Sequence, residues 1–485
     1  MFKAISALLP TDPDYPPRAR TLDIRHRVLM GTLYDLIEYE FHQEVSGSDE
    51  YIPLQKRAPS VRYGLCRLVV DETTAMLFGE GRFPVLACED EATRDALATI
   101  SGDCGLVRAM REAALLGSCG SVAILMRMLS DRPYFSVMRT DYLTPVWKPA
   151  APDQLQMVRE QYKVRGRQLF ALGYEVPNDD TEWWVRRDWS EAEEIWYLPL
   201  SKTDQADGKP FLRDAGRTVI HSLGFVPMVW MRNLPGGDDV DGCCTFALAI
   251  ETGIEIDYLL SQGARGLKYA SDPKLVISSD GELPPISGGS SQALVLGEAG
   301  KATLLEIDGT AANTIIEYVR ALREMALETI HGNRTSSDKI SGAQSGRAME
   351  MMHQALINLV DQLRDSYGTN GLLPLARMIV AAGATRTIKV FGADLAFKVG
   401  ERVTLQWPPY FQMTQSDMQE EASTLSTLRT AGLISQESGV KIVCETQDIA
   451  DLAAEMARIK ADETAADARL AKQAAMTQAK ENVPG

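Results

Sequence analysis

The sequence has few cysteines and histidines for its length, and neither residue type is grouped. Seven cysteines and five histidines are spread over 485 residues, without any Cys-x-x-Cys spacing. An odd number of irregularly spaced cysteines argues against a disulfide framework, and dispersed histidines argue against a structural zinc site. We therefore expect reduced, buried thiols of the kind found in reducing compartments, and neither a metal nor a cofactor.

Long apolar runs and excess positive charge are also missing. No apolar run reaches about 18 residues, so no membrane span is predicted. Pro10 ends the short apolar run after Met1 before the core of a signal peptide could form. The 50 basic and 66 acidic residues give a net charge of −16, which argues against non-specific affinity for nucleic acid over the whole surface.

The motifs of common enzymes are incomplete or missing. The stretch 297–303 (GEAGKAT) resembles a phosphate-binding loop, but Val295 stands where that loop needs its first glycine. The stretch 236–242 (GGDDVDG) resembles part of a calcium loop, but Gly237 and Leu248 occupy the first and last ligand positions. We therefore expect that the protein is not an enzyme, with a divalent-metal-dependent nuclease as the alternative.

Hydrophobic periodicity and turn residues predict an α+β fold class. Helices are predicted over 23–40, 61–79, 90–100, 106–117, 243–268, 311–331, 346–383, 422–443 with a break at 431–434, and 450–480. Strands are predicted over 121–128, 134–147 and 386–408, in a meander over 155–235, and in a compact β insertion over 271–310. The pattern of 346–383 is expected to kink or divide near 367–371, where glycines interrupt it.

Two features between residues 311 and 352 are unusual. The predicted helix 311–331 carries an apolar stripe at near-heptad spacing with charged flanks. The stretch 331–352 (HGNRTSSDKISGAQSGRAMEMM) is polar, and up to Arg347 its only acidic residue is Asp338, beside Arg334 and Lys339. A loop that rigid helices hold in place often carries function, although a solvated surface loop is the alternative.

Seven segments are informative when they are taken in order: 68–81 (LVVDETTAMLFGEG), 112–128 (EAALLGSCGSVAILMRM), 142–147 (YLTPVW), 223–233 (LGFVPMVWMRN), 250–262 (IETGIEIDYLLSQ), 345–352 (SGRAMEMM) and 431–438 (AGLISQES). Together they resemble the portal proteins of tailed bacteriophages, the head-to-tail connectors of the SPP1-like type. The resemblance covers nearly the whole chain and is weakest over 150–215 and after residue 450.

The resemblance implies a ring, usually of twelve subunits, that forms a DNA channel at one vertex of the capsid. The implied parts are the wing (1–242), the first stem helix (243–270), the clip (271–310), the second stem helix (311–331), the channel or tunnel loop (332–345), a long kinked helix with return strands of the wing (346–411), and the helical crown or C-terminal tail (412–485). Such a ring serves genome packaging, DNA retention, head-to-tail joining and DNA ejection.

The resemblance also implies roles for particular residues. The DNA-facing residues of the channel loop would be Asn333, Arg334, Ser336, Ser337, Lys339 and Ser341. Arg334 and Lys339 would contact phosphates without base readout, and the serines and Asn333 would form weak hydrogen bonds. Contacts between neighbouring stem helices would come from Ile315, Val319, Leu322 and Ile330, although periodicity alone fits an ordinary core helix equally well. Contacts of the clip with the terminase or an adaptor would come from Asp280, Glu282, Leu283, Pro284 and Pro285.

The implied partners are further copies of the chain, double-stranded DNA bound without sequence preference, the terminase large subunit, a head-to-tail adaptor, and the major capsid protein with its scaffold. The implied location is the portal vertex of the virion, after assembly in the host cytoplasm. An acidic channel would let DNA slide, because each neutralised phosphate adds affinity. The alternatives are the portal of a defective prophage or gene transfer agent, and a cytosolic α+β scaffold or adaptor protein that forms no ring.

Overall fold

The chain separates into two compact units. The computed structural model describes residues 1–270, 274–278, 301–305, 310–332, 351, 353–411, 415–446 and 452–481. The first unit comprises Met1–Lys339 and His353–Tyr410, and the second comprises Ile340–Met352 and Phe411–Gly485. Because the first unit combines helices with several sheets, the predicted α+β class is confirmed.

Helices and strands are interspersed along the described part of the first unit. They are α1 (Phe2–Ser6), α2 (Pro17–Met30), α3 (Leu65–Phe78), α4 (Glu91–Asp103), α5 (Leu106–Gly117), α6 (Gly166–Ala171), α7 (Lys202–Ala206), α8 (Ile250–Ala270), α9 (Thr310–Thr329), α10 (Gln354–Leu363) and α11 (Leu373–Thr385). The described helices of the second unit are α12 (Gln415–Thr430), α13 (Gln436–Thr446) and α14 (Leu452–Glu481).

The strands of the first unit form one larger sheet and several small ones. They are β1 (Tyr39–Glu40), β2 (Arg57–Ala58), β3 (Val85–Ala87), β4 (Ser121–Leu129), β5 (Arg132–Arg139), β6 (Leu143–Lys148), β7 (Ala151–Arg165), β8 (Glu182–Trp189), β9 (Glu193–Trp196), β10 (Leu200–Ser201), β11 (Val219–Ile220), β12 (Met228–Arg232), β13 (Lys274–Ser278), β14 (Lys301–Leu305), β15 (Ile388–Val390), β16 (Ala393–Leu395) and β17 (Thr404–Gln406). The larger sheet has the order β11-β9-β8-β7-β6, with β10 beside β8, and β12-β4-β5 form a second sheet.

Strand β4 is apolar at nearly every position because both of its faces are buried. Ile124 faces a core that also contains Met231 and helix α5. Its neighbour Leu125 faces a second core around Trp189 and Trp230. Successive strand residues point to opposite faces, so a strand between two cores needs a continuous apolar run.

The predicted interruption near residue 367 is a π-helical segment, Arg364–Leu372, between α10 and α11. Its buried Tyr367 hydroxyl donates a hydrogen bond to Asn233 Oδ1 at 2.9 Å. A side chain at Gly368 would overlap Trp407, so the close approach of this ring requires glycine there. The interruption is therefore confirmed, and it takes the form of wider helical turns, which are frequent at functional sites.

The helix predicted from residue 243 begins later, at Ile250. The backbone before it is bound elsewhere, because Cys243 forms a β-bridge with Leu234 and the Thr245 N–H donates to the Ser118 carbonyl at 2.9 Å. The predicted start of this helix is therefore wrong, and its role as a stem helix stays a prediction.

Two other predicted boundaries also need correction. The helix predicted over 23–40 lies at Pro17–Met30, with proline at its first position and Gly31 at φ 71° after its end. The strand predicted over 134–147 is two strands, β5 and β6. In contrast, the helix predicted over 106–117 and the break near Gly432, which has a φ of 71°, are confirmed.

Candidate functional site

Helices α8 and α9 form a packed pair that a β-hairpin joins. The hairpin strands are antiparallel, with Lys274 opposite Leu305. At one end of the pair, Ile250 of α8 and Leu327 of α9 belong to the same core. At the other end, a Cβ atom on Gly263 of α8 would lie 3.3 Å from Ile315 Cγ2 of α9. The two helices therefore run antiparallel, and we call this unit the helix–hairpin–helix.

A buried carboxylate fixes α8 to the N-terminal part of the chain. Asp257 is 6% exposed and accepts hydrogen bonds from the Tyr34 hydroxyl and the Tyr63 N–H, both at 2.6 Å. One helical turn later, Ser261 Oγ accepts from the Val61 N–H at 2.9 Å. Burial raises the pKa of Asp257, against the opposing effect of the Tyr34 hydrogen bond. These contacts hold α8 against the N-terminal part of the chain.

Two substitutions of Asp257 separate the role of its hydrogen bonds from the role of its charge. Asp257→Leu leaves two buried donors without an acceptor, so we expect it to lower the free energy of unfolding by about 3 kcal/mol. Asp257→Asn keeps an acceptor for Tyr63 and can donate to the Tyr34 oxygen, so its cost should stay below about 1 kcal/mol. Denaturant titration of the two variants measures the difference, and equal losses would contradict the hydrogen-bonding role.

The raised pKa of Asp257 gives this comparison a pH dependence. The pKa of Asp257 is higher in the folded state than the unfolded value of about 3.9, so folding favours the protonated carboxyl group. The wild type therefore loses stability as pH rises through the folded pKa. Asp257→Asn lacks this titration. We therefore expect the stability difference between the wild type and Asp257→Asn to shift in favour of the asparagine variant as pH rises from 4 towards neutrality.

The apolar stripe of α9 faces its own chain. Ile330 is 5% exposed and belongs to the same core as Ile250 of α8. Val319 and Leu322 pack against that core and remain partly exposed, and Ile315 lies against α8 near Gly263. The burial of the stripe is therefore explained within one chain, and its contact between subunits stays a prediction.

Other apolar side chains of α9 are exposed. Ile316, Tyr318 and Met325 are 42%, 52% and 53% exposed. At about 100° per residue, Tyr318 and Met325 lie on one flank of the buried stripe, and Ile316 lies on the opposite flank. Arg320 lies beside Ile316, about 40° further around the helix, whereas Glu328 lies on the face opposite the stripe. The two flanks of α9 thus carry different apolar side chains.

The end of α9 is fixed by its backbone. His331 takes a φ of 54°, and the Gly332 N–H donates to the Leu327 carbonyl at 2.9 Å. This is a left-handed helix cap with a hydrogen bond back to the last turn. Gly332 is buried, and a Cβ atom there would lie 2.7 Å from Leu327 Cδ2 and 3.3 Å from Val69 Cγ2. The chain therefore leaves α9 at a defined point, immediately before the polar stretch.

The other residues with sequence-predicted roles lie outside the described residues. These are the channel-loop residues Asn333, Arg334, Ser336, Ser337, Lys339 and Ser341 and the clip residues Asp280, Glu282, Leu283, Pro284 and Pro285. The described part of the clip is limited to β13 and β14. Sequence reasoning missed Asp257, although an acidic residue inside the apolar pattern IEIDYLL was a signal for a buried hydrogen bond.

The described residues offer no group of three or more histidine, cysteine and acidic side chains that could hold a metal ion. The seven cysteines are free. Burial raises the pKa of Cys66 to about 12 and that of Cys244 to about 11, so both thiols are protonated and unreactive at neutral pH. Within the described ranges, no helix has the length and hydropathy needed to cross a membrane.

The chain matches solved structures, but it matches no sequence family. No family model and no curated protein match the chain. The chain is similar to a chain from the neck of an empty gene transfer agent particle, computed with C6 symmetry, and to one from the virion of a native gene transfer agent particle. In both comparisons the identity is 12%, the TM-score is 0.37, and the match covers 78% of this chain and 88% of the other.

Proposed function

We propose that the protein is a portal protein, a subunit of a ring of about twelve copies that forms a DNA channel at one capsid vertex. In this role it serves packaging with the terminase, retention of DNA, joining of head and tail through an adaptor, and ejection of DNA. It has no catalytic activity of its own, so the energy for DNA translocation comes from a partner. The sequence segments that resemble portal proteins point to this role.

The helix–hairpin–helix is the observation that carries the proposal. Two long antiparallel helices, α8 and α9, are joined by a β element and followed at Gly332 by the polar stretch. This is the order of stem, clip, stem and channel loop that the sequence resemblance implies. The fixed exit at Gly332 supports a role for 332–345 as a loop at a defined position.

The two flanks of α9 support self-association into a ring. In a ring each subunit contacts its neighbours through two different surfaces, since the contact is heterologous. One flank offers Tyr318 and Met325, and the other offers Ile316. Aromatic side chains and methionine are enriched at protein interfaces. We therefore place the contact between copies at these flanks, beside the stripe that α8 already covers.

The charges of the chain suit a channel through which DNA moves. In the proposed ring, Arg334 and Lys339 of the channel loop contact phosphates at isolated positions. From the net charge of −16 we expect the rest of the channel surface to be acidic, so that the duplex does not accumulate phosphate contacts that would stall it. The clip residues 280–285 contact the terminase during packaging and the adaptor afterwards.

The mass and symmetry of the purified protein test the proposal. Native mass spectrometry should show an assembly of about twelve 53.3 kDa subunits, and averaged electron micrographs should show rings with a central hole. The measurement is repeated with scaffold and capsid protein, which supply assembly contacts that an isolated subunit lacks. A chain that stays monomeric or dimeric under both conditions would favour the scaffold or adaptor alternative and contradict the ring.

A ring alone does not separate an infectious phage from its relatives. A portal of a defective prophage or gene transfer agent would form the same ring, and DNA isolated from intact particles distinguishes them by its origin. The nuclease alternative is tested by incubating the protein with DNA and a divalent cation. Cleavage that is lost on chelation would contradict the non-enzymatic part of the proposal.

A further inference from the structure

An open cavity of about 500 Å³ lies in the first unit, outside the helix–hairpin–helix. It is bounded by the π-helical segment, the first turns of α11 and strand β17. Leu373, Leu405 and Trp407 form an apolar wall, and a cavity of this volume suits a small ligand. The ring proposal gives no role to this cavity.

Three arginines and two aspartates line the cavity, which leaves one positive charge in excess. Arg364 is already occupied, since its Cζ atom lies 4.7 Å from the Trp407 ring centre and 3.8 Å from that of Tyr410. Its Nη2 also donates to the Pro408 carbonyl at 3.1 Å. Asp361 accepts a hydrogen bond from the Tyr410 hydroxyl. Arg364 and Asp361 are therefore held by contacts within the protein and are not counted among the donors for a ligand.

The remaining donors, on Arg377, Arg402 and Thr369, are exposed at the open side of the cavity. Within the described parts of the chain, the guanidinium groups of Arg377 and Arg402 and the hydroxyl of Thr369 form no hydrogen bond or ion pair with another residue. Arg377 comes from α11, Arg402 from the segment before β17, and Thr369 from the π-helical segment. Donors from three separate elements thus line one cavity, in which Asp365 is a second carboxylate beside Asp361.

We propose that this cavity binds a phosphate-bearing ligand of about mononucleotide size, through Arg377, Arg402 and Thr369. Two guanidinium groups can each donate two parallel hydrogen bonds, and the hydroxyl adds one more. Five donors exceed the roughly four lone-pair positions on the two oxygens of a carboxylate, whereas the three terminal oxygens of a phosphate monoester offer about six. The apolar wall contacts the sugar or base. This inference does not depend on ring assembly.

The donor count favours a phosphate monoester, such as that of a free nucleotide, over the phosphodiester of a DNA strand, which has two terminal oxygens like a carboxylate. One titration series separates the two sources. Calorimetric titrations at low salt use inorganic phosphate, deoxyadenosine monophosphate, a short DNA duplex and a polyglutamate peptide. The variant is Arg377→Gln with Arg402→Gln, and its fold is checked by circular dichroism. The matched control is Arg108→Gln, which removes another exposed and unpaired arginine, on α5.

We expect the nucleotide to bind on the order of ten-fold or more weakly to the double variant, and unchanged to the control. Binding of the nucleotide but not of the duplex identifies a free nucleotide as the source, and binding of the duplex with the same dependence identifies the DNA backbone. Two results would overturn the proposal: phosphate probes that bind neither protein or both equally, and a polyglutamate peptide that binds through the two arginines more tightly than any phosphate probe.

Discussion

A variant with aspartate at both Tyr318 and Met325 should remain folded and no longer form rings. The two side chains are 52% and 53% exposed in the chain, so their replacement costs the folded subunit little. In the proposed ring each would be covered by a neighbour, and central aromatic and apolar residues contribute about 2 kcal/mol or more per contact. Two buried carboxylates per interface add a desolvation penalty. Native mass spectrometry should therefore shift from rings to the 53.3 kDa subunit.

Two control variants give this result its meaning. Tyr134→Asp changes a tyrosine of β5 that is also 53% exposed, and it should leave the rings intact. Val319→Asp with Leu322→Asp places charges against the core that α8 and α9 share, so it should lower the thermal stability of the subunit itself. Rings that survive the Tyr318 and Met325 substitutions would contradict the placement of the interface at this flank.

Ile316 tests the opposite flank in the same assay. A heterologous contact requires two different surfaces, so Ile316→Asp should also stop ring growth although it lies on the other side of the stripe. Mixing the Ile316 variant with the Tyr318 and Met325 variant restores one intact interface per pair. We therefore expect this mixture to form dimers that neither variant forms alone.

The sequence predicted the stripe of α9 but could not predict its partner. Apolar residues at near-heptad spacing indicate that one side of a helix is covered, and they contain no information on whether the cover is the same chain or another copy. In the folded chain α8 covers Ile315 and the core covers Ile330. The flanking residues are the better candidates for contact between copies.

Long-range contacts explain most of what the sequence did not predict. Tyr34 and Asp257 are 223 residues apart and meet through one hydrogen bond. The donors of the arginine-lined cavity come from three elements between residues 369 and 402. By contrast, local signals were sufficient for the break at Gly432 and for the interruption near residue 367. Local sequence signals thus predicted these two helix interruptions. The Asp257 contacts and the arginine-lined cavity depend on residues that are far apart in the sequence, so local signals could not predict them.

A second large effect is expected in the larger sheet, at the buried carboxylate of Asp188. This residue is 2% exposed and accepts hydrogen bonds from Arg186 Nη2 at 2.7 Å, Arg159 Nε at 3.1 Å and the Tyr197 hydroxyl at 3.2 Å. Burial alone would raise the pKa of Asp188, but the hydrogen bonds from Arg186 and Arg159 prevail and lower it. The carboxylate therefore pairs with two guanidinium groups in one place.

Asp188→Ala should lower the free energy of unfolding by about 3 kcal/mol, because it leaves Arg186 and Arg159 without their counter-charge. Since the folded pKa of Asp188 lies below the unfolded value of about 3.9, its contribution is complete above that pH and is lost as pH falls towards the folded pKa. Denaturant titrations at neutral and acidic pH measure both effects, with the exposed Asp153→Ala of β7 as the control. Asp188→Asn keeps the shape without the charge, so a loss close to that of Asp188→Ala would show that charge neutralisation stabilises this sheet. A loss in Asp188→Ala that is no larger than in the control would contradict the role of the cluster.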